Sequence, residues 1–415
     1  MRSYSGTWIF ILIVLLIDLY VFQAVKFTLQ SVSPRTRFTV YSLYWGLSAV
    51  TVITLAILPY INLDSWPRNL RTYWMATIIG LFLSKSLTVI FLLADDLRRL
   101  LQWGGGKLFY QYIEGEPFKA AGISRSVFMS WLGLAVGGGL MTAMMLGFAN
   151  KYRYQLKKVK LNFPNLPDAF KGLKVVHISD VHSGSFTDKK AVEHGVQMIM
   201  DQQADLILFT GDLVNDQASE MKDYTAVFAR LRAPMGVFST LGNHDYGDYR
   251  KWLNQEEKVQ NLERLKQLQT EMGWRLLMNE HVVLEKQGQQ IALLGIENWG
   301  AKANFPKYGK LHEAYAGTEK YPFKILMSHD PSHWDAQVRP EYSDIDLTLS
   351  GHTHGMQFGV EVPGFKWSPV QYVYKQWAGL YEQAHQKLYI NRGFGFIGYP
   401  GRVGILPEIT LIELS

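Results

Sequence analysis

The chain has 415 residues, a formal net charge of +6 and no cysteine. That length exceeds what one hydrophobic core usually organises, so two structural regions are expected, and the missing cysteines exclude a disulfide scaffold, thiolate metal ligands and a cysteine nucleophile. Residues 1–163 carry 17 Lys/Arg against 6 Asp/Glu and the remainder 25 against 30, which places the positive excess in the first region and makes a nucleic-acid partner unexpected for the second.

In chain order, four apolar runs near residues 7–25, 38–61, 73–94 and 128–149 are each long enough to cross a hydrocarbon core as a helix. The first lacks a small-residue cleavage site and three more follow it, so it is expected to stay as a span rather than leave as a signal peptide. Trp8, Tyr20, Tyr41, Tyr44, Tyr60, Tyr73 and Trp74 fall at or near the ends, where interfacial aromatics sit. Asp18 and Lys85 interrupt the first and third runs at nearly equal depth. A charge at mid-bilayer normally faces a partner, so an Asp18–Lys85 pair is expected, with snorkelling or a small polar cavity as the alternative. Gly133, Gly137, Gly138 and Gly139 in the fourth run suit close helix packing within the bundle, or between protomers as an oligomerisation surface. Residues 95–127 read as a connecting loop; Trp103, Phe109, Tyr110, Tyr112 and Phe118 would alternatively lie in the interface and admit a lipid. An even span count puts the N-terminus and the second region on one side. Lys and Arg divide eight to eight between the two sides, so the positive-inside rule is silent. The cluster Lys151, Arg153, Lys157, Lys158 and Lys160 after the last run tips the expectation towards a cytoplasmic second region.

From about residue 152 the composition turns to that of a soluble domain, giving an expected division into 1–150 and 151–415. Residues 152–163 alternate as a first strand. Short apolar runs at 175–179, 206–210, 237–241, 323–328 and 345–350 then each end in a motif. The motifs are Asp180-Val-His182, Gly211-Asp212, Gly242-Asn243-His244-Asp245, Ser328-His329 and Gly351-His352-Thr353-His354. Helical periodicity at 189–203 and 255–272 lies between strands, so sheets covered by helices are expected, with ligands gathered beyond strand ends. Carboxylate and imidazole donors suit hard to borderline divalent cations. Two such cations about 3.5–4 Å apart polarise a phosphoryl group and generate hydroxide at neutral pH. Among the other histidines, His177 reads as a core residue, and His194, His281, His312 and His385 as surface or helix residues. His333, four residues after His329, is a candidate for substrate contact or for support of the site. Glu297 and Trp299 are candidates for substrate contact, and Arg392 and Arg402 for a bidentate phosphate clamp, each against an ordinary core or salt-bridge role.

The five ordered motifs resemble the calcineurin-like metallophosphoesterase superfamily over about residues 173–414. Two further stretches are similar to its membrane-attached bacterial phosphodiesterase branch. One is the approach Phe163-Pro-Asn-Leu-Pro-Asp-Ala-Phe-Lys-Gly-Leu173; the other is the closing Asn391-Arg-Gly393, Pro400-Gly-Arg402 and Pro407-Glu408-Ile409. The resemblance implies an α/β fold, a four-layer αββα sandwich, preceded here by a four-helix transmembrane bundle. It implies that Asp180, His182, Asp212 and His354 hold one metal and that Asp212, Asn243, His329 and His352 hold a second, with Asp212 bridging. Manganese is the implied metal, and iron or zinc suit such ligands almost alike. His244 is implied as the catalytic imidazole, protonating the leaving oxygen or stabilising phosphoryl charge. Attack is implied to be in line by a metal-bridging hydroxide, with no covalent intermediate. The superfamily often continues Gly-Asp-x-x-Asp, whereas this chain has Gly211-Asp-Leu-Val-Asn215. Asn215 would then orient His244 without charge unless Asp245 or Asp216 substitutes, and Asp245 is carried as a catalytic candidate on that ground.

A catalytic face tethered to a bilayer meets lipid head groups at high effective concentration. The expected reaction is therefore hydrolysis of a phosphodiester or pyrophosphate in a lipid or lipid-linked substrate. One instance is the nucleotide-diphosphate-sugar lipid cleaved by related hydrolases. Three alternatives stand beside it: an anchored phosphodiesterase of soluble nucleotides, a metal-stabilised sensor or binding module, and a bundle that itself transports a ligand at Asp18 and Lys85.

Overall fold

The computed structural model describes residues 5–61, 66–109, 125–302, 305 and 307–415. The chain divides into two compact units, Met1–Leu146 and Gly147–Ser415.

In the first unit the apolar runs form α1 (Ser5–Thr28), α2 (Pro34–Ile57), α3 (Arg68–Phe109) and α4 (Arg125–Gly147). All four are long and apolar enough to cross a membrane. α2 starts where Ser33 accepts the Thr36 N–H at 3.2 Å and Pro34 fills the first turn. Ile11, Val14, Leu55 and Ile78 pack together in the interior. The expected ion pair is there: Lys85 Nζ donates to Asp18 Oδ1 at 2.6 Å and to Ser48 Oγ at 3.0 Å. Gly133 and Gly137 are used within the chain. A Cβ on Gly137 would stand 2.2 Å from Thr88 Oγ1, and Thr88 donates to the Gly133 carbonyl at 3.0 Å, so α4 lies against α3. Gly138 and Gly139 face open space.

One expectation is corrected. Residues 95–109 are helical rather than loop, because Leu97, Leu100 and Leu101 continue the apolar pattern and Arg98 bonds Asp95 at 2.7 Å and Gln102 at 2.7 Å. Tyr110, Tyr112 and Phe118 lie outside the described residues, as does the side chain of Phe109.

The second unit opens with a turn over Phe148–Tyr152 and β1 (Gln155–Leu161). There follow β2 (Lys174–Ile178), α5 (Lys189–Met200), β3 (Leu206–Phe209), α6 (Thr225–Phe228), β4 (Val237–Ser239), α7 (Gln255–Glu271) and β5 (Arg275–Leu276). Next come β6 (Glu280–Lys286), β7 (Gln289–Gly295), β8 (Lys324–Met327) and β9 (Leu347–Ser350). The chain closes with β10 (Val360–Val362), β11 (Phe365–Trp367), β12 (Gly379–Gln383), β13 (Gln386–Ile390) and β14 (Glu408–Leu414).

Two six-stranded sheets result, ordered β1-β14-β2-β3-β4-β5 and β12-β13-β9-β8-β7-β6. Their inner faces meet through Val175, Leu206 and Leu208 on one side and Leu293, Ile325 and Leu349 on the other. Because side chains alternate along a strand, Val176, Ile207 and Phe209 face outward, onto Val192, Val196 and Leu265 of the helices. On the second sheet Leu294 and Leu326 face outward onto Leu311, Trp334 and Val338. The order of layers is therefore helix, sheet, sheet, helix. Within each sheet β2, β3 and β4, and β7, β8 and β9, run parallel, so each set sends its carboxyl-end loops to one edge.

Candidate metal centre

The five motifs occupy those loops, and the backbone there is bent hard. Asp180, His182, Asp212, His352 and His354 have φ of 53°, 47°, 61°, 70° and 50°. A left-handed conformation costs a non-glycine residue about 1–3 kcal/mol, and it persists where the surroundings fix it, commonly at functional sites. Two glycines make the close approach feasible. A Cβ on Gly242 would fall 2.2 Å from Asp212 Oδ1, and one on Gly351 would fall 2.1 Å from Asp180 Oδ2.

Two groups of donor atoms result: Asp180, His182 and His354, and Asp212, His329 and His352. Within each, one donor atom per residue lies within 4.8 Å of the others. Asp212 stands between them, with Oδ2 3.5 Å from His182 Nε2 and 3.1 Å from His329 Nε2. His354 Nε2 lies 3.2 Å from Asp180 Oδ1, and both Asp180 oxygens accept the His352 N–H at 3.0 Å. Asn243 Oδ1 is 2.8 Å from His352 Nδ1, which is 3.3 Å from His329 Nε2. Outer partners set the rings. His329 Nδ1–H donates to the Thr210 carbonyl at 2.7 Å, which leaves Nε2 for Asp212 or a cation. His352 Nε2 meets the Tyr374 hydroxyl at 3.0 Å, and that hydroxyl donates to Asp330 at 3.3 Å.

The donor set fits a pair of divalent cations. Both ring nitrogens of His182 and Nε2 of His354 are buried with no hydrogen-bond partner, a state costing about 1–3 kcal/mol per atom unless something else engages them. Burial pushes His182 down to about 3 and His354 well below the ordinary histidine range, so both offer lone pairs at neutral pH. Burial alone would lower His329 too, but Asp212 and Asp180 push it up to about 10. A cation settling against its Nε2 would displace that proton.

His244 is half-buried, and its Nδ1–H donates to the Asn215 carbonyl at 2.8 Å. Its ring lies 5.0 Å from that of His182 and 4.6 Å from that of Tyr249. Here the sequence reading is corrected: Asn215 orients His244 through its main chain, and its side chain bonds Ser185 instead. Asp245 does not touch the imidazole. Its carboxylate accepts the N–H groups of Asp212, Leu213, Val214 and Gly242 between 2.8 and 3.3 Å, clamping two motif loops together. Asp216 does not take that place either, since the His244 Nδ1–H goes to the Asn215 carbonyl.

The expected substrate contacts are engaged elsewhere. Arg392 pairs with both oxygens of Glu361 at 2.9 Å and with Glu408, so it is not a free phosphate clamp. Arg402 is fully buried and donates to the carbonyls of His354, Arg392, Gly393 and Gly395. His333 bonds Ser328 and Gln337, both at 2.9 Å, which uses both ring nitrogens. Glu297 accepts from Tyr246 and Asn279, and the Trp299 ring lies tilted against that of His333 at 4.7 Å. His177 is a buried core residue bonded to Thr210, whereas His194 and His312 are exposed. Tyr374, Asp330 and Thr210 support the centre and were missed. Only Asp330, next to His329, carried a signal in the sequence.

A two-layered sheet sandwich thus carries two carboxylate–imidazole groups at its loop edge and follows four apolar helices. Residues 173–356 match the family described as Calcineurin-like phosphoesterase, and residues 1–151 match Probable Calcineurin-like phosphoesterase, transmembrane domain. Residues 173–356 are thus a calcineurin-like phosphoesterase domain by that match, and the chain is a membrane protein with four spans. It is similar to the Danio rerio transmembrane protein with metallophosphoesterase domain, 29% identical over 62% of this chain and 56% of that one. It is also similar to the Escherichia coli phosphodiesterase YaeI, 27% identical over 58% of this chain and 82% of that one. The chain spans little more than half the length of the transmembrane relatives it matches. Among solved structures, Thermus thermophilus sulfate thiohydrolase SoxB in complex with glycerol aligns at 14% identity and a TM-score of 0.35, over 60% of this chain and 57% of that one. A likeness that weak carries no argument.

Proposed function

We propose that the protein is a membrane-anchored phosphodiesterase that hydrolyses a phosphodiester or pyrophosphate bond in a lipid or lipid-linked substrate. One observation carries the reading: Asp212 presents its carboxylate to both donor groups, 3.5 Å from His182 and 3.1 Å from His329. In this reading Asp180, His182, Asp212 and His354 hold one cation, and Asp212, Asn243, His329 and His352 hold the other. Manganese is the favoured metal, with iron and zinc as alternatives. When bound, such a pair supplies Lewis acidity towards a phosphoryl oxygen and makes water nucleophilic at neutral pH. With Nδ1–H held by the Asn215 carbonyl, His244 keeps Nε2 as the ring atom from which its imidazolium form would deliver a proton to the leaving oxygen. The buried floor of the centre limits access by bulk water. Displacement is in line and forms no covalent bond to the chain. Residues 1–150 act as the membrane domain and 151–415 as the catalytic domain, on the side of the N-terminus, taken to be cytoplasmic. The name of the Escherichia coli relative supports the reaction class, and tethering to a bilayer supports a lipid substrate.

The test is turnover of bis(4-nitrophenyl) phosphate by detergent-purified protein, with and without Mn²⁺, beside Asp212→Ala and His244→Ala. Metal-dependent turnover lost in both variants is expected; no turnover by folded protein with any divalent metal rejects the enzyme. Equal rates on a lipid-linked phosphoester and its water-soluble head group reject the lipid assignment alone.

A further inference from the structure

Six of the eleven exposed large hydrophobic side chains described in the second unit fall in one short stretch: Met356, Val360, Val362, Phe365, Tyr372 and Val373. Three of them sit on the β10–β11 hairpin, which is built inside out. Its register pairs Val360 with Trp367, Glu361 with Lys366 and Val362 with Phe365. Directly opposed residues share a face, so Val360, Val362, Phe365 and Trp367 line one side and Glu361 and Lys366 the other. On the polar side Glu361 is half-buried, and Lys366, though exposed, directs its ammonium back onto the unit. Glu361 accepts from Arg392 at 2.9 Å and Lys157 at 3.2 Å, and Lys366 donates to the Ala378 carbonyl and the Tyr381 hydroxyl. The apolar side turns outward, with Val362 52% and Phe365 57% exposed. A hairpin meant for water shows the reverse arrangement, and a gathered apolar patch marks an interaction surface.

The path of the chain identifies what covers it. Gly147, where the chain enters this unit from α4, accepts the Arg402 N–H at 2.9 Å. The next residue, Val403, accepts the Gly359 N–H at 2.9 Å and pairs with Phe358. The hairpin thus grows from the same short segment that holds the residue following the last span. Lys157, which reaches Glu361 at 3.2 Å, and Lys366, on the hairpin itself, set two long basic side chains beside the apolar face. An apolar tip with long basic side chains beside it suits a bilayer interface carrying anionic head groups.

We propose that the apolar face of the β10–β11 hairpin, with Met356, Tyr372 and Val373, docks on the surface of a bilayer containing anionic lipid. Three of these residues are close along the chain to the metal centre. Met356 lies two residues after His354, and Tyr372 and Val373 precede Tyr374, which bonds His352. Docking would hold the donor groups at the head-group layer; that consequence, unlike the docking, rests on the phosphoesterase reading.

The chain has no cysteine, so single labels are clean. Phe365→Cys and, as control, Val283→Cys on β6 would carry a nitrobenzoxadiazole probe. The full chain would be placed in nanodiscs of phosphatidylcholine and phosphatidylserine with doxyl-labelled lipid as quencher. The expected result is quenching at Phe365 several-fold stronger than at Val283. Phe365→Asp is expected to lower the ratio of turnover on a bilayer-embedded phosphodiester to that on a water-soluble one about tenfold, the order of one lost aromatic burial. Quenching no stronger than at Val283 overturns the proposal. A change of oligomeric mass in Phe365→Asp without lipid quenching also overturns it, in favour of a second copy of the chain. Strong quenching with no turnover on either substrate supports the docking and rejects the phosphoesterase reading instead.

Discussion

Lys85 and Asp18 meet at 2.6 Å between α3 and α1, and Ser48 of α2 accepts a second bond from the same ammonium at 3.0 Å. Three helices are therefore tied by one cation. The Tyr44 ring lies 4.7 Å from it, within cation–π range. Removing one member strands the other charge in an apolar surround, at a cost of about 3 kcal/mol. Asp18→Asn and Lys85→Met are each expected to lower stability by about that amount, and the double variant by much less than the sum. Thermal unfolding in detergent reads the coupling, and additive losses would refute it.

Anchoring of His244 on a main-chain carbonyl separates two variants that the sequence would have treated alike. His244→Ala is expected to lower kcat by about 10²–10⁴-fold, the usual weight of a general acid, with bound metal unchanged. Asn215→Ala keeps the carbonyl that accepts Nδ1–H and is expected to change kcat less than about tenfold. A loss in Asn215→Ala as large as in His244→Ala would mean that the amide side chain matters to the imidazole after all. Steady-state kinetics with metal analysis on both variants decides.

Gly351 cannot carry a side chain without moving a metal-ligand candidate. A Cβ there would stand 2.0 Å from Ser179 Oγ and 2.1 Å from Asp180 Oδ2. Gly351→Ala is expected to cost about 1–3 kcal/mol by overpacking and to reduce metal bound at the Asp180, His182 and His354 group. Metal content equal to that of the parent protein would show that the loop yields at no cost to the site.

Two buried histidines away from the donor groups give a signed pH effect. Burial holds His177 down to about 3 and His333 down to about 4. The unfolded chain protonates both near pH 6.5, so between there and the folded values it binds protons that the folded chain does not. Stability is full above about pH 6.5 and falls as the pH drops, by about 1.4 kcal/mol per pH unit per group. His177→Gln is expected to lose about 2 kcal/mol less than the parent between pH 6.5 and pH 5 in denaturant titrations. Identical losses would show that His177 takes up its proton without unfolding.

Motifs and membrane runs were legible because both are local. Asp-x-His, Gly-Asp and Gly-His-x-His each lie on one loop, and an apolar stretch of helical length needs no partner to be recognised. The Asp18–Lys85 pair was legible from depth alone, since parallel spans put equal depths side by side. The roles of Arg392, Arg402, His333 and Asp245 were not. Each looks available in the sequence, and each is engaged by residues far along the chain or by backbone groups that leave no trace in side-chain identity.

The sequence by itself determined the donor chemistry, the strand–loop order that presents it and the four apolar helices, because residue type, spacing and hydropathy fix these one segment at a time. Only the tertiary structure decided that Asp212 stands between two donor groups, that His244 leans on the Asn215 carbonyl and that the β10–β11 hairpin turns its apolar face outward. Those outcomes depend on which strands become neighbours. β14, from the end of the chain, lies between β1 and β2, and such long-range pairing is set by burial summed over both sheets rather than by any local pattern.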